Sequence, residues 1–220
     1  MKMSTAETPP TLRPLSSDLG HLTRPDGSAT LFQGDTSVMV SVYGPGEVKI
    51  HRENIDKATV DVVYKPKSGL PGCSEKSSEE VLRNTCETAL LAALHPRSAV
   101  NITVQEIQNS GAYLAACVNC CCLALLDSSI SMKCTMAAVS CCIKGDGQVV
   151  LDPKLKDEES CTSSYTFVFD SDNKDVITVI ANGKYTLQEF QQSLVLCREA
   201  SASVFTYYRD CIEKKLSKTV

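Results

Sequence analysis

The chain reads Gln-Asn-Ser-Gly-Ala-Tyr-Leu-Ala-Ala-Cys-Val-Asn from Gln108 to Asn119. An alternating run from Val100 to Glu106 precedes this stretch and predicts a strand, and the apolar residues that follow predict a helix. A strand, a glycine turn and a helix start place free backbone N–H groups and the positive end of the helix dipole at one spot, where proteins bind anions. No residue between Ser110 and Asn119 is charged, whereas a catalytic phosphate site usually includes an Arg. The stretch is therefore either an anion site without its cation or a packed turn.

The composition indicates a globular protein with no overall affinity for nucleic acid. The 220 residues are 43% hydrophobic, which is enough for a core, and the formal net charge is −4. A chain of negative charge contacts RNA only through a local basic patch. No apolar run reaches the roughly 18 residues that span a bilayer, and residues 1–10 lack the apolar region of a signal peptide. We expect a soluble, intracellular protein with no membrane partner.

The chain contains 12 cysteines, many of them in apolar segments. One interpretation is a zinc site built on Cys117 and Cys120, which have the Cys-x-x-Cys spacing. The other is small buried side chains in a reducing compartment. No second Cys-x-x-Cys or paired histidines supply further ligands, so we favour the buried side chains and predict neither a metal nor a cofactor.

The order of predicted elements indicates an α+β fold of two similar halves. Residues 1–11 read as a disordered tail, and residues 12–220 as a single domain. The first half is predicted to open as an antiparallel meander and to continue with helices from Ser77, with a capping box to Glu80, and from Tyr113. The predicted strands and helices are Ser28–Gln33, Thr36–Tyr43, Glu47–His51, Thr59–Tyr64, Ser77–Leu94, a strand that begins at Ser98 and includes the alternating run Val100–Glu106, Tyr113–Asp127, Thr135–Ile143, Gln148–Leu151, Ser163–Phe169, Val176–Ala181 and a long final helix over Thr186–Ser217.

Several segments, taken in order, resemble the RNase PH family, and more narrowly the RNase PH-like subunits of the eukaryotic RNA exosome ring. They are Leu-Thr-Arg-Pro-Asp-Gly-Ser-Ala-Thr from Leu22, Gln-Gly-Asp-Thr-Ser-Val from Gln33, Val-Leu-Arg-Asn-Thr-Cys-Glu-Thr-Ala from Val81, and Val-Val-Leu-Asp-Pro-Lys-Leu-Lys-Asp-Glu-Glu from Val149. The resemblance implies an RNase PH-like fold, related to ribosomal protein S5 domain 2, with two β-α-β-α halves and a long C-terminal helix. Active relatives degrade RNA from its 3′ end by phosphorolysis.

The resemblance also implies where the phosphate would bind. Active members carry Asp-Gly-Gly-Thr-Arg-Thr at the helix start, and these positions align with 110–115 of this chain. Ser110, Tyr113 and Leu114 are therefore degenerate positions, and Leu114 replaces the Arg. Losing one preorganised contact of this kind costs roughly 10² to 10³ in rate, so the resemblance implies a catalytically inactive relative.

Four further residues are candidates for residual activity. Lys76 falls near a second phosphate-binding Arg of the active members, although a solvated Lys at a helix start is an equal alternative. Asp157, Glu158 and Glu159 lie where active members have catalytic aspartates, and three acids can hold Mg²⁺ through water. The alternative for these three is a solvated acidic connector, which we favour.

The resemblance implies RNA binding by a loop that lines the channel of ring-forming relatives. Lys65 and Lys67 occupy that loop, and Arg83 and Arg97 are predicted to lie near it and to contact RNA phosphates. Ordinary surface cations are the alternative for all four.

The resulting hypothesis is a non-catalytic structural subunit that supports 3′-to-5′ RNA processing, including that of rRNA, in the nucleus, nucleolus and cytoplasm. Its implied partners are other RNase PH-like subunits, an Rrp43-type neighbour among them, S1/KH cap subunits and RNA. The alternative is a homodimeric nuclease acting on RNA or DNA through a residual metal- or phosphate-dependent site, because isolated ring subunits with an exposed apolar edge often pair with themselves.

Overall fold

A computed structural model describes residues 12–218 and contains two sheets with four α-helices. The first sheet has the order β1-β2-β3-β5-β4, and the second has the order β7-β6-β8-β9. The elements are β1 (Leu15–Leu19), β2 (Gly27–Gln33), β3 (Thr36–Glu47), β4 (Thr59–Lys65), α1 (Cys73–Ala89), β5 (Ser98–Gln108), α2 (Tyr113–Asp127), β6 (Met136–Lys144), β7 (Val149–Leu151), α3 (Leu155–Ser160), β8 (Cys161–Asp170), β9 (Val176–Gly183) and α4 (Leu187–Lys218).

Helix α2 forms the centre of the molecule. It contacts β2 and β3 of the first sheet and β6 and β8 of the second, and every residue from Ala115 to Leu125 is buried. A helix that is apolar on all sides has to be enclosed by other elements, because no face of it favours water. The apolar run that predicted this helix in the sequence also predicts that it is enclosed between layers, and the structure confirms this. The cysteines of α2, including Cys117 and Cys120, are buried as we favoured.

One polar side chain lies inside this core and has partners for each of its polar atoms. The Asn119 Nδ2 donates to the Ala138 carbonyl at 3.0 Å, and its Oδ1 accepts from the Ala138 N–H at 2.7 Å. The Tyr208 hydroxyl donates to the same oxygen at 2.9 Å. A buried amide is stable only when it is hydrogen-bonded, so Asn119 joins α2, β6 and α4 in one arrangement.

The predicted α+β class and the long C-terminal helix are confirmed, and several local predictions are wrong. Strand β1 was missed, and the strand predicted at Glu47–His51 is the end of β3 followed by a 3-10 turn over Ile50–Arg52. The predicted antiparallel meander is confirmed where β1, β2 and β3 pair in chain order, but β4 lies at the edge of the sheet and pairs parallel to β5. The acidic connector contains the short helix α3.

Helix α1 also differs from its prediction at both ends. It begins at Cys73 rather than Ser77, and the Gly72 N–H donates to Glu75 at 2.8 Å. It ends at Ala89 because Leu90 pairs with Met132 in an isolated β-bridge. The predicted tail at residues 1–11 lies outside the described residues. No helix within residues 12–218 is long and apolar enough to cross a membrane.

Candidate functional site

The turn between β5 and α2 has a backbone conformation that requires glycine at position 111. Gly111 has φ +101° and Ala112 has φ +51°. A Cβ atom at Gly111 would lie 2.4 Å from the Pro153 carbonyl oxygen and 2.6 Å from the Leu155 nitrogen. The segment that leads into α3 therefore packs directly on the turn, and the conformation is one that residues with a Cβ adopt only with strain.

The anion position at the start of α2 is filled by a side chain of the protein itself. Glu158 Oε1 accepts a hydrogen bond from the Ala112 N–H at 2.7 Å. This carboxylate lies at the positive end of the α2 dipole, where a bound phosphate would otherwise be stabilised. Burial raises the pKa of Glu158, and the Ala112 N–H offsets part of that rise.

A cavity of about 470 Å³ opens next to this position. Its charged lining residues among those described are Glu75, Glu106 and Glu158, with no Lys or Arg. The Tyr64 hydroxyl donates to Glu106 at 2.8 Å, and burial raises the pKa of the Tyr64 hydroxyl. Acidic groups in a partly enclosed space repel a phosphate or an RNA backbone.

The degenerate positions lie together at this turn. Tyr113 and Leu114 line the cavity, and the Tyr113 ring packs edge-on against Tyr64 with 6.0 Å between ring centroids. The Ser110 carbonyl accepts from the Leu155 N–H at 3.0 Å. Tyr113 therefore packs on β4, and Ser110 is hydrogen-bonded to the first residue of α3.

An arginine does lie beside the turn, but it comes from the N-terminal segment and has other partners. Arg13 Nη2 donates to the Gly111 carbonyl at 3.0 Å and to Asp152 Oδ1 at 2.6 Å. The Gln33 Nε2 donates to the same Asp152 oxygen at 2.8 Å, and the Thr36 hydroxyl donates to the Gly111 carbonyl at 2.9 Å. The Asp152 side chain is 1% exposed and the Arg13 side chain 13%, so this ion pair is structural.

The structure does not bring Lys76 into the cavity. The first turns of α1 line it with Ser74, Glu75 and Ser78. Successive residues of a helix are rotated by about 100°, so Lys76 lies on another face. It is exposed.

The three consecutive acidic residues Asp157, Glu158 and Glu159 have different surroundings. Asp157 forms an ion pair with Lys144 at 2.9 Å, and this contact lowers the pKa of Asp157. Glu158 reaches the Ala112 N–H, and Glu159 is exposed. Within residues 12–218, no group of three or more His, Cys, Asp or Glu side chains is arranged to hold a metal ion.

The four predicted RNA-binding cations divide into two places. Lys65 ends β4 and Lys67 follows in the exposed loop before α1. Arg97 precedes β5, whose residue Ala99 pairs with Thr59 at the opposite end of β4 from Lys65, so Arg97 lies more than about 20 Å from Lys65 along the strands. Arg83 contacts Glu80 and Arg97 contacts Glu53 at 3.5 Å, whereas Lys65 and Lys67 make no ion pair with any residue that the structure describes.

Sequence comparison identifies the family. The family model described as "3′ exoribonuclease family, domain 1" matches residues 11–131, and the model described as "3′ exoribonuclease family, domain 2" matches residues 134–196. The chain belongs to the 3′ exoribonuclease family. The first match covers the first sheet with α1 and α2, and the second covers the second sheet and the start of α4. That residues 12–220 act as a single domain stays a prediction.

Relatives within the 3′ exoribonuclease family cover almost the whole chain. The exosome complex exonuclease RRP46 homolog of Arabidopsis thaliana is 32% identical over 96% of this chain and 95% of that protein. The crystal structure of rice (Oryza sativa) Rrp46 superposes with a TM-score of 0.89 at 32% identity, covering 94% of this chain and 98% of that one. The exosome complex component Rrp41 of Archaeoglobus fulgidus is 28% identical over 93% of this chain and 83% of that protein. The predicted RNase PH-like fold and the resemblance to RNase PH-like exosome subunits are confirmed, and among these subunits the resemblance is to the Rrp46 type (exosome component 5).

Sequence reasoning missed the residues that hold the turn of this family member in place. Gln33 and Thr36 fall in a segment that carried the family resemblance, but nothing in that segment indicates a contact with Gly111 or Asp152. Arg13 was placed next to the predicted tail. Its contact with Asp152 spans 139 positions of sequence, which periodicity and local motifs do not report.

Proposed function

We propose that this protein is a non-catalytic structural subunit of the RNA exosome core ring, of the Rrp46 type. The observation that carries the proposal is the Glu158 carboxylate on the Ala112 N–H, at the spot where a phosphorolytic enzyme would bind phosphate. The names of its relatives, which are exosome components, support the assignment to the ring.

Phosphorolysis requires inorganic phosphate to be held beside the terminal linkage of the RNA. In this chain Leu114 stands where the resemblance expects the Arg, and the cavity is lined by carboxylates. Removing one preorganised donor costs roughly 10² to 10³ in rate. The negative charge of Glu158 opposes phosphate in addition, because like charges repel most strongly where water is partly excluded.

The contribution to RNA processing is then passage of RNA through the ring rather than cleavage. Lys65, at the end of β4, and Lys67, in the loop that follows, are both exposed and separated by one residue, and exposed cations of this kind suit a sequence-independent contact with the RNA backbone. Arg83 and Arg97 already contact carboxylates, so we propose smaller roles for them. We also propose an Rrp43-type neighbour, S1/KH cap subunits and a location in the nucleus, nucleolus and cytoplasm.

The test is digestion of a 3′-extended RNA, labelled at its 5′ end, by the purified protein with and without inorganic phosphate. The mass of the protein in solution is measured in parallel, alone and with an Rrp43-type subunit. We expect no shortening of the RNA under either condition and a stable complex with the added subunit. Phosphate-dependent release of nucleoside diphosphates would overturn the proposal.

The alternative, a homodimeric nuclease, is distinguished by the same assay. It requires metal- or phosphate-dependent digestion of RNA or DNA that is lost in Asp157→Ala or Lys76→Ala. Glu159→Ala is the matched control, because this exposed acid lies beside Asp157 and Glu158 but makes neither of their contacts.

A further inference from the structure

A second groove lies between α4, the end of α2 and the turn that joins β8 to β9. It consists of two cavities of about 330 and 410 Å³ that share Leu126, Thr135 and Ser171 in their linings. We refer to the two together as the α4 groove. It contains none of the residues that line the cavity at the start of α2.

The floor of the α4 groove is apolar and only partly covered. Leu126, Ile130, Met132, Phe205 and Ile212 line it, and each is half-buried. Their neighbours on α4, Val204 and Tyr208, are buried against the core. Burying the open apolar surface of a groove against a partner lowers the free energy of the complex.

The rim of the α4 groove is positively charged. Lys133, Lys174 and Arg209 line it, and none of the three makes an ion pair with another residue in the described range 12–218. Asp172 is the one carboxylate among the described lining residues. The whole chain has a net charge of −4, so the rim differs in sign from the average surface.

We propose that the α4 groove binds an acidic peptide segment of a partner protein, whose bulky apolar side chains cover the floor. An apolar floor with a charged rim is the usual form of a site that takes one face of an amphipathic segment. The acidic residues of the segment complement Lys133, Lys174 and Arg209, and this complementarity sets which segments bind.

The floor is less suited to RNA, the other ligand that a positive rim attracts. Proteins bind single-stranded RNA by stacking bases on aromatic rings. Four of the five floor residues are aliphatic, and the ring of Phe205 packs edge-to-face against Tyr208 with 6.2 Å between centroids. The groove therefore offers shape and apolar contact rather than a row of open ring faces.

Selection of short random peptides displayed on phage, with the full-length protein as target, tests the proposal. The discriminating variant is Lys174→Glu with Arg209→Glu. The matched control is Lys156→Glu with Lys184→Glu, which changes the net charge equally at exposed positions outside the groove. Melting curves of both variants show whether they fold.

We expect the selected peptides to combine several Asp or Glu residues with bulky apolar ones. The groove variant should weaken their binding about tenfold or more, and the control less than about twofold, with weaker binding at higher salt. Phe205→Ala should weaken binding without changing its salt dependence. If the charge-reversed variant does not fold, Lys174→Gln with Arg209→Gln takes its place, with an expected loss of about threefold.

Two results would overturn the proposal. One is selected peptides that are neutral or basic, or whose binding is the same in the groove variant and the control. The other is a single-stranded RNA oligonucleotide that binds the wild type and loses its affinity in the groove variant while no acidic peptide is selected. That outcome would assign the groove to RNA.

Discussion

The ion pair between Arg13 and Asp152 offers a quantitative test of how the turn before α2 is held. Asp152 accepts hydrogen bonds from Arg13 Nη2 at 2.6 Å, the Arg13 N–H at 3.0 Å and Gln33 Nε2 at 2.8 Å. Asp152→Asn removes the charge and keeps the shape, and Asn tolerates the φ of +51° at this position. The guanidinium of Arg13, 13% exposed, would then be buried without its counter-charge.

Removing one partner of a buried ion pair costs about 3–5 kcal/mol. Asn retains one acceptor oxygen, so we expect the lower end, about 3 kcal/mol, in the free energy of unfolding measured by urea denaturation. For a chain of this size that corresponds to a melting temperature lower by about 6–12 °C. Asp61→Asn is the control, because the Arg52–Asp61 pair is 56% and 36% exposed and such pairs contribute at most about 1 kcal/mol.

A double-mutant cycle with Arg13→Met isolates the pair itself. The combined variant should lose less stability than the sum of the two single variants, by at least about 1 kcal/mol. If Asp152→Asn loses no more stability than Asp61→Asn, the pair does not hold the turn, and our account of why the turn keeps its shape is wrong.

Three further predictions concern the same turn and the proposed RNA path. Gly111→Ala should lower the free energy of unfolding by at least about 2 kcal/mol, because the added Cβ would lie 2.4 Å from the Pro153 carbonyl oxygen. Gly69→Ala, with φ +85° and nothing within 4 Å, should lower it by only about 1 kcal/mol, the cost of backbone strain. Equal losses in urea denaturation would contradict the packing of the segment before α3 on the turn. The raised pKa of Glu158 means that the native protein takes up a proton before the unfolded chain as the pH falls. Glu158→Gln should therefore be at least as stable as the wild type at neutral pH, and the difference in free energy of unfolding between the two proteins should shrink on acidification. A stability advantage of Glu158→Gln that grows at low pH would refute this. Glu159→Gln, at an exposed position, should show no such trend. In a reconstituted ring, Lys65→Gln with Lys67→Gln should reduce the slope of log affinity for single-stranded RNA against log salt concentration by about 1.4. The control, Lys154→Gln with Lys156→Gln at two other exposed lysines, should leave the slope unchanged. An unchanged slope in the variant of Lys65 and Lys67 would show that neither lysine contacts the RNA.

The main elements of the fold were predictable because their signals are local. Alternation along β3 and β5 and the unbroken apolar run of α2 specify strands and an enclosed helix with no knowledge of the partners. Strand β1 was missed because Leu15–Leu19 is short, and its pairing with β2 is not encoded in its own alternation. The parallel placement of β4 beside β5 depends on the crossover through α1, which local patterns do not determine.

The candidate site was predictable in location but not in content. The sequence predicted either an anion site or a packed turn at the start of α2, and the family resemblance placed Leu114 where active members have the Arg. It did not indicate that Glu158 supplies the anion, because a contact across 46 positions depends on how α3 packs against Gly111. Asp157, Glu158 and Glu159 look equivalent in sequence, and only their different partners in three dimensions separate them.

We propose that the start of α2 binds a carboxylate of the protein in place of phosphate and therefore performs no phosphorolysis. Incorporation of radiolabelled inorganic phosphate into nucleoside diphosphates, with single-stranded RNA and the purified wild-type chain, tests it most directly. An active phosphorolytic ribonuclease, assayed in parallel, establishes that the substrate is competent. The account predicts no labelled nucleoside diphosphate above the protein-free background, both for the isolated chain and for its complex with an Rrp43-type subunit. Labelled product that rises with the concentration of the isolated wild-type chain would contradict the account.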